Sequence, residues 1–326
     1  MRYTYEKGLV SLVTPGWNGI HFIHRLLDSI LEQTYRPLQY IYVDDGSTDG
    51  SSELVLGYKD RFLKAGIDFT FIRQENRGLC GALMAGFKYV KGEFLSNPEY
   101  DDFLFPASVE KRVAYLNSHP DCAVVVADAW VVNEDCVEDR SALISQKNPN
   151  RFDRNHFYQC LMSNTIFNAA CYMVRMDKFD QTHQDRKLIP YAFGSNQQIL
   201  LPLYYHWNRG FIDEPLSVYV SRRDSLSKKK NTFSDVVQQD LAYQRLLLSI
   251  LDGIDMLDHD RQLYKERVKI NVQKDFYLFG KKYGNAGFAH DAASYLQEKG
   301  EPLPNTSSKK FRESRLFRYL KAGLHW

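Results

Sequence analysis

The apolar positions of this chain change period in a regular order between residues 8 and 95. Residues 8–15 (GLVSLVTP) are nearly continuous in apolar side chains, the pattern of a parallel strand covered on both faces. The turn Gly16-Trp17-Asn18-Gly19 follows. Ile20, Ile23, Leu26, Leu27, Ile30 and Leu31 then make one helical face. Residues 38–43 predict a second buried strand, 51–63 a helix, 69–73 a third strand, 79–90 a helix and 93–95 a fourth strand. Strands alternating with helices in this way demand a parallel sheet with right-handed crossovers.

The later chain is less regular. A helix is expected over 108–118, strands over 123–126 and 130–132, and an apolar run over 165–174. A helix over 196–207 precedes a strand over 211–220 with a bend at Glu214-Pro215. The polar, Lys-rich stretch 225–234 reads as a boundary loop. Beyond it, Val237, Leu241, Leu248 and Leu251 lie on one helix and residues 268–279 on another, with a linker over 302–308. The expected division is an α/β domain over 1–228, with a regular half near 1–105 and a less regular half near 106–228, and a helical extension over 229–326.

Composition narrows the class. A 326-residue chain with 44% apolar residues buries a sizeable core, and its net charge of +2 gives no bulk attraction for nucleic acid. The five cysteines form no C-x-x-C pair, so neither a disulfide framework nor a zinc ribbon is indicated. The polar start, residues 1–7, does not resemble a signal peptide, and no run reaches the roughly 18 apolar residues of a membrane span. The expected location is the cytoplasm, at the inner face of the membrane if the C-terminal tail binds lipid.

Two acidic clusters sit at predicted strand ends. Val43-Asp44-Asp45-Gly46-Ser47-Thr48-Asp49-Gly50 follows the second strand, and Glu99-Tyr100-Asp101-Asp102 follows the fourth. In an open α/β sheet the crevice beyond the carboxyl ends of the strands binds ligands. Asp45 is placed to accept from the polar edge of a nucleobase; the alternative is a plain turn and helix cap. Glu99, Asp101 and Asp102 offer the hard oxygen ligands that suit Mg²⁺ or Mn²⁺, or an acidic loop ahead of the helix at Ser108. No G-x-S-x-G elbow and no H-x-x-x-H pair occurs, which leaves serine hydrolases and zinc enzymes without support.

The segments VSLVTPGWNG (10–19), LLDSILEQTYRPLQYIYVDDGSTDGS (26–51), ENRGLCGALMAGFKYVKGEF (75–94) and PEYDDFLFP (98–106) together resemble a family-2, GT-A-type glycosyltransferase of the bacterial surface-polysaccharide type, with fainter similarity to residue 228. The resemblance implies a GT-A-like fold with a mainly parallel central sheet and a C-terminal helical extension. It implies a nucleotide-sugar donor, UDP by family frequency, and a glycan or lipid-linked sugar acceptor attacked through a hydroxyl. Pro15 and Trp17 match positions that line the nucleoside, with Asn18 and Gly81 in the same donor site. Asp45 matches the base-binding acid. Glu99 and Asp101 match the D-x-D that touches ribose and metal, Asp101 being the Mg²⁺ or Mn²⁺ ligand.

Four departures stand out. The D-x-D is here E-x-D. The common Ala-Arg-Asn of the glycine-rich segment is Ala82-Leu83-Met84. The late Tyr-Arg-x-His reads Tyr219-Val220-Ser221-Arg222, and Arg222 binds phosphate where a histidine would bind metal. Asn196 stands at the base position, where an amide is not a competent base. Asp128, Asp185 and His183 are the candidate substitutes, and Asp128, at the end of a predicted strand, is also the candidate acceptor contact. The tail 308–326 interleaves six basic residues with aromatic and aliphatic ones, which suits an anionic membrane surface or a packed terminal helix. A non-catalytic nucleotide-binding partner and a nucleotidyltransferase are the rival classes.

Overall fold

The computed structural model describes residues 3–146, 148–166, 168–222 and 232–306. The chain divides into two compact units, Met1–Cys160 with Thr165–Val220, and Leu161–Asn164 with Ser221–Trp326. The expected boundary at 228 and the tail 308–326 lie outside the described residues.

The first unit opens with β1 (Glu6–Gly16), α1 (Ile23–Leu31), β2 (Leu38–Asp44), α2 (Ser51–Gly57), α3 (Lys59–Lys64), β3 (Ile67–Arg73), α4 (Gly78–Phe87) and β4 (Gly92–Ser96). Every residue of β2 is buried, as are the last eight of β1, which is why both read as nearly continuous apolar runs. β2 pairs with β1 and β3, and β1 with β4, all in parallel. The single helix expected over 51–63 is interrupted at Tyr58, next to Gly57, a weak helix former. α1 buries Ile23, Leu26, Leu27 and Ile30 in a core shared with Tyr40, Tyr42 and Phe94.

The rest of this unit comprises β5 (Phe103–Leu104), α5 (Ser108–Ser118), β6 (Cys122–Asn133), β7 (Ala142–Leu143), α6 (Phe157–Leu161), β8 (Tyr172–Arg175), α7 (Met176–Thr182), α8 (Ser195–His206) and β9 (Asn208–Ser221). The described strands form one sheet in the order β3-β2-β1-β4-β8-β6-β9-β5, with β7 on β6. β8 runs antiparallel to both β4 and β6, and β5 antiparallel to β9. The four parallel strands therefore give way to an antiparallel region beyond β4. β9 is one strand through Glu214-Pro215, where a bend was expected.

β6 corrects another expectation. The two short strands are one, running through Ala127-Asp128-Ala129. A polar residue inside the apolar run had read as a strand end. Asp128 is instead fully enclosed and takes up its own hydrogen bonds: Oδ1 accepts from the backbone N–H of Ala129 (2.9 Å) and Ser145 (3.1 Å), and Oδ2 from Ser145 Oγ (2.5 Å).

The second unit is built on α9 (Phe233–Gly253), α10 (Asp258–Tyr283) and α11 (Ala286–Glu298). Thr232 and Asp235 form a reciprocal capping box at the start of α9. Val236, Val272, Phe276, Phe279 and Ala292 make its core. A Cβ on Gly280 would lie 2.7 Å from Ala289, so glycine lets α10 and α11 approach closely. Among the described residues no helix is long and apolar enough to cross a membrane.

Candidate active site

The chain steps outward from β1 to β2 to β3, then returns to the other side of β1 for β4. The loops after β1 and β4 therefore leave the sheet on opposite sides of a topological switch point, where open α/β sheets hold ligands. Thr14 Oγ1 donates to Pro98 O (3.0 Å), and a Cβ on Gly19 would meet the Tyr100 ring at 2.6 Å. Glycine at 19 thus lets the first loop rest directly on the E-x-D segment.

The loops after β1 and β2 are sewn together. Asp45 N donates to Gly16 O (2.8 Å), Asn18 N to Ser47 Oγ (3.0 Å), Gly19 N to Ser51 Oγ (2.9 Å) and Ile20 N to Asp49 Oδ2 (2.9 Å). In return, Thr48 N donates to Asn18 Oδ1 (2.9 Å). Partial burial works against the charge on Asp49. Hydrogen bonds from Ser51 and from the backbone of Ile20 and Ser51 outweigh it and hold the carboxyl below its usual range.

The adjacent acids have separate tasks. Asp44 is buried; Oδ1 accepts from Ser47 N (3.1 Å), Oδ2 from Ser52 Oγ (2.7 Å), and Arg73 Nε lies 3.3 Å from Oδ2. It fixes the turn and the start of α2. Asp45 Oδ1 accepts from Gln74 Nε2 (2.7 Å) and from Arg77 N (2.9 Å), at the entrance to α4. Its second oxygen has no hydrogen-bond donor among the described residues. Pro15 is buried in β1 opposite Val43, and Trp17 stands 53% exposed on the loop. Gly81 lies in α4, where a Cβ would strike Arg77 at 2.5 Å. Leu83 is fully buried, so the departure from the usual arginine is taken into the core.

Across the switch point, one oxygen each of Glu99, Asp101 and Asp102 lies within 4.8 Å of the others. Asp102 is wholly buried and accepts from Val220 N (3.0 Å) at Oδ1; its Oδ2 is enclosed without a hydrogen-bond partner. Burial first, and then the charges of Asp101 and Glu99, push its carboxyl well above the ordinary range. Three crowded hard oxygens of this kind match what a small divalent cation requires.

The structure also places residues that had no visible motif. β8 lies beside β4, and Ser96 Oγ donates to Tyr172 O (2.8 Å). The buried Tyr172 hydroxyl donates to Asn196 Oδ1 (2.8 Å) at the start of α8. The apolar run 165–174 concealed this tyrosine. The three candidate substitute bases are each engaged by other groups of the fold. His183 is buried with Nδ1 at Phe179 O (3.2 Å) and Nε2 at Gln198 O (2.9 Å), and burial lowers its pKa. Asp185 is exposed and paired with Lys187 (3.1 Å). Asp128, inside β6 and bonded to Ser145, is a structural acid and not an acceptor contact at a strand end. Arg222 follows β9 and belongs to the second unit.

Residues 11–182, just over half of the chain, match the family profile "Glycosyl transferase family 2". The chain belongs to this family. An uncharacterized glycosyltransferase of Rickettsia typhi is 34% identical over 126 residues, 39% of this chain and 37% of that protein. Glycosyltransferase GlyG of Streptococcus pneumoniae is 34% identical over 129 residues, 39% of this chain and 40% of that protein. The chain thus spans less than half the length of these relatives. Among solved structures, Staphylococcus aureus TarS 1–349 in complex with UDP-GlcNAc superposes with a TM-score of 0.60 at 14% identity, covering 90% of this chain and 93% of that one. The mannosyltransferase PcManGT of Pyrobaculum calidifontis, in complex with GDP-Man and Mn²⁺, gives 0.61 at 15% identity, covering 96% and 85%. The fold is that of the GT-A glycosyltransferases.

Proposed function

We propose that the chain transfers a sugar from a nucleotide-diphosphate sugar, with UDP as the nucleotide, to a hydroxyl of a glycan or lipid-linked acceptor, in the assembly of a cell-surface polysaccharide. The observation that carries this reading is the switch-point crevice, with the sewn loops on one side and the Glu99-Asp101-Asp102 cluster on the other. Family membership and the donor complexes of the structural relatives support it.

In this reading Asp45 accepts from the base through the oxygen that Gln74 and Arg77 leave open. Trp17 covers the flat face of the base. Glu99 accepts from ribose hydroxyls. Asp101, with Asp102 and Glu99 beside it, holds Mg²⁺ or Mn²⁺. A divalent cation bound there neutralises charge on the departing diphosphate. The acceptor oxygen attacks the anomeric carbon on the face opposite the leaving group, which inverts the configuration.

Two measurements test the proposal. Calorimetric titration of UDP, GDP, CDP and dTDP, with and without Mn²⁺, is expected to show tightest binding for UDP with the metal. Replacing Asp101 by Asn is expected to abolish metal-dependent turnover; wild-type rates in that variant would refute its assignment. The amide at position 196 also fits a nucleotide-binding protein without catalysis, a reading that donor cleavage by the purified chain excludes.

A further inference from the structure

Tyr100 stands between Glu99 and Asp101, so its backbone is continuous with two of the three acids of the E-x-D cluster. Its ring rests on Gly19 of the loop after β1: a Cβ at that glycine would lie 2.6 Å from the ring's Cδ2 and 2.8 Å from its Cε2. The contact is therefore ring against bare backbone. That loop has little room to yield. Gly16 rests on the Tyr42 hydroxyl, where a Cβ would lie at 2.0 Å, and Tyr100 packs against the core that holds Tyr42. Gly19 N and Ile20 N are held by Ser51 and Asp49, each at 2.9 Å. Thr14 Oγ1 fastens β1 to Pro98 O at 3.0 Å.

Three carboxylates with oxygens within 4.8 Å of one another repel while they are charged. A divalent cation reverses that force and draws Glu99 and Asp101, the chain neighbours of Tyr100, toward itself. Close-packed interiors pass such a displacement on, because they have no slack to absorb it. The loop that receives it carries Trp17. Its Gly16 O accepts from Asp45 N (2.8 Å), at the acid placed for the base, and its Asn18 is joined to Ser47 and Thr48 of the same turn.

We infer that Tyr100 is a positioning residue that couples cation binding to recognition of the nucleoside, through its contact with Gly19 and without any bond between cation and nucleoside. The inference rests on the transferase reading above, which gives the acids a cation and Asp45 a base. A cation on the E-x-D cluster settles Tyr100, and Tyr100 settles the loop that shapes the base subsite. Coupling of this kind is reciprocal: the nucleoside tightens the cation by the same factor. The diphosphate adds its own, direct link between the two sites, so the contribution of Tyr100 is read with a ligand that has no diphosphate.

The test uses 2′,3′-dideoxyuridine, which has no diphosphate to meet the cation and no ribose diol to meet Glu99. Its affinity for the full chain is measured by ligand-observed NMR with and without Mg²⁺, and Mn²⁺ affinity by electron paramagnetic resonance with and without the nucleoside. Couplings between sites typically span about 5–150-fold, and a gain at the low end, about fivefold, is expected in both titrations. Tyr100→Phe keeps the ring and is expected to keep the gain. Tyr100→Ala and Gly19→Ala alter the contact from its two sides and are expected to cut the gain to less than about twofold. A merely structural role would weaken each ligand and leave the gain unchanged. Equal affinity with and without Mg²⁺ in the wild-type chain, or an undiminished gain in the contact variants, overturns the inference; UDP that still binds more tightly with Mn²⁺ then leaves the transferase reading standing. The wild-type comparison holds even where a variant fails to fold. A chain that binds neither UDP nor Mn²⁺ overturns that reading, and the inference with it.

Discussion

Replacing Asp44 by Ala separates the two acids of the DDG turn. Asp44 is 0% exposed, and its oxygens accept from Ser47 N, Ser52 Oγ and, as an ion pair, Arg73 Nε. A hydrogen bond to a charged acceptor is worth about 1.5–3 kcal/mol, and a partner left buried and unpaired adds to the loss. The Arg73 side chain is 52% exposed, so its share resembles that of a surface pair, about 0–1 kcal/mol. Two buried bonds lost, with partial rehydration, give about 3 kcal/mol. In a domain of roughly 200 residues each kcal/mol moves the midpoint by about 2–4 °C, so the first unit is expected to melt about 6–12 °C lower. Differential scanning calorimetry reads this directly. Asp45→Asn keeps Oδ1 for Gln74 and Arg77 and is expected to shift the midpoint by less than about 2 °C. Its deficit is expected in UDP affinity, by about tenfold or more, because a polar contact to the base is replaced by a mismatched one. The division of labour fails if Asp44→Ala melts like wild type, or if Asp45→Asn loses as much stability.

Other outcomes follow from single contacts. Gly19→Ala puts a methyl 2.6 Å from the Tyr100 ring, so the E-x-D loop must move; overpacking of about 1–3 kcal/mol is expected to weaken Mn²⁺-dependent UDP binding about tenfold by calorimetry. Unchanged affinity would show that the two loops do not bear on one another. His156 is held neutral by burial and by Arg209, its pKa lowered to about 3. The unfolded chain therefore takes up a proton that the folded one refuses between pH 6.5 and 3, and stability falls as pH falls through that window. His156→Gln is expected to flatten that part of a urea-denaturation pH profile, and an unaltered slope would count against the assignment. Gly280→Ala drives a methyl to 2.7 Å from Ala289, and the crowding is expected to outweigh a helix-propensity gain of about 1 kcal/mol. The thermal midpoint of the second unit is expected to drop by calorimetry; an unchanged midpoint would count against the close approach of α10 and α11.

What could be read in advance followed burial on both faces. β1, β2 and β4 are largely enclosed on each side, so their sequences are mostly apolar and their order forced a parallel sheet. Where a polar group is satisfied inside the protein, the pattern misleads. Asp128 split β6 in two on paper because its partner, Ser145, is seventeen positions away. α10 showed only residues 268–279, since much of its 26-residue length is charged. The site divided in the same way. The acids at strand ends were visible because turn chemistry and spacing are local. Ser47, Ser51 and Asp49 looked like turn residues, yet they hold a loop about thirty positions earlier. Tyr172 was invisible inside an apolar run, and the burial of His183 has no signature in the chain.

Four of the five hydrogen bonds between the loops after β1 and β2 join a side chain of one loop to the backbone of the other. Neither loop can therefore drift alone. A change at Ser47, Asp49 or Ser51 unseats backbone that carries Trp17, and a change at Asn18 unseats Thr48. Substitutions across the seam will not add, because their partners are shared. Altering the nucleotide preference of this chain by engineering thus means exchanging residues 16–20 and 45–51 as one cassette, with Tyr100 as the floor that any new first loop must fit.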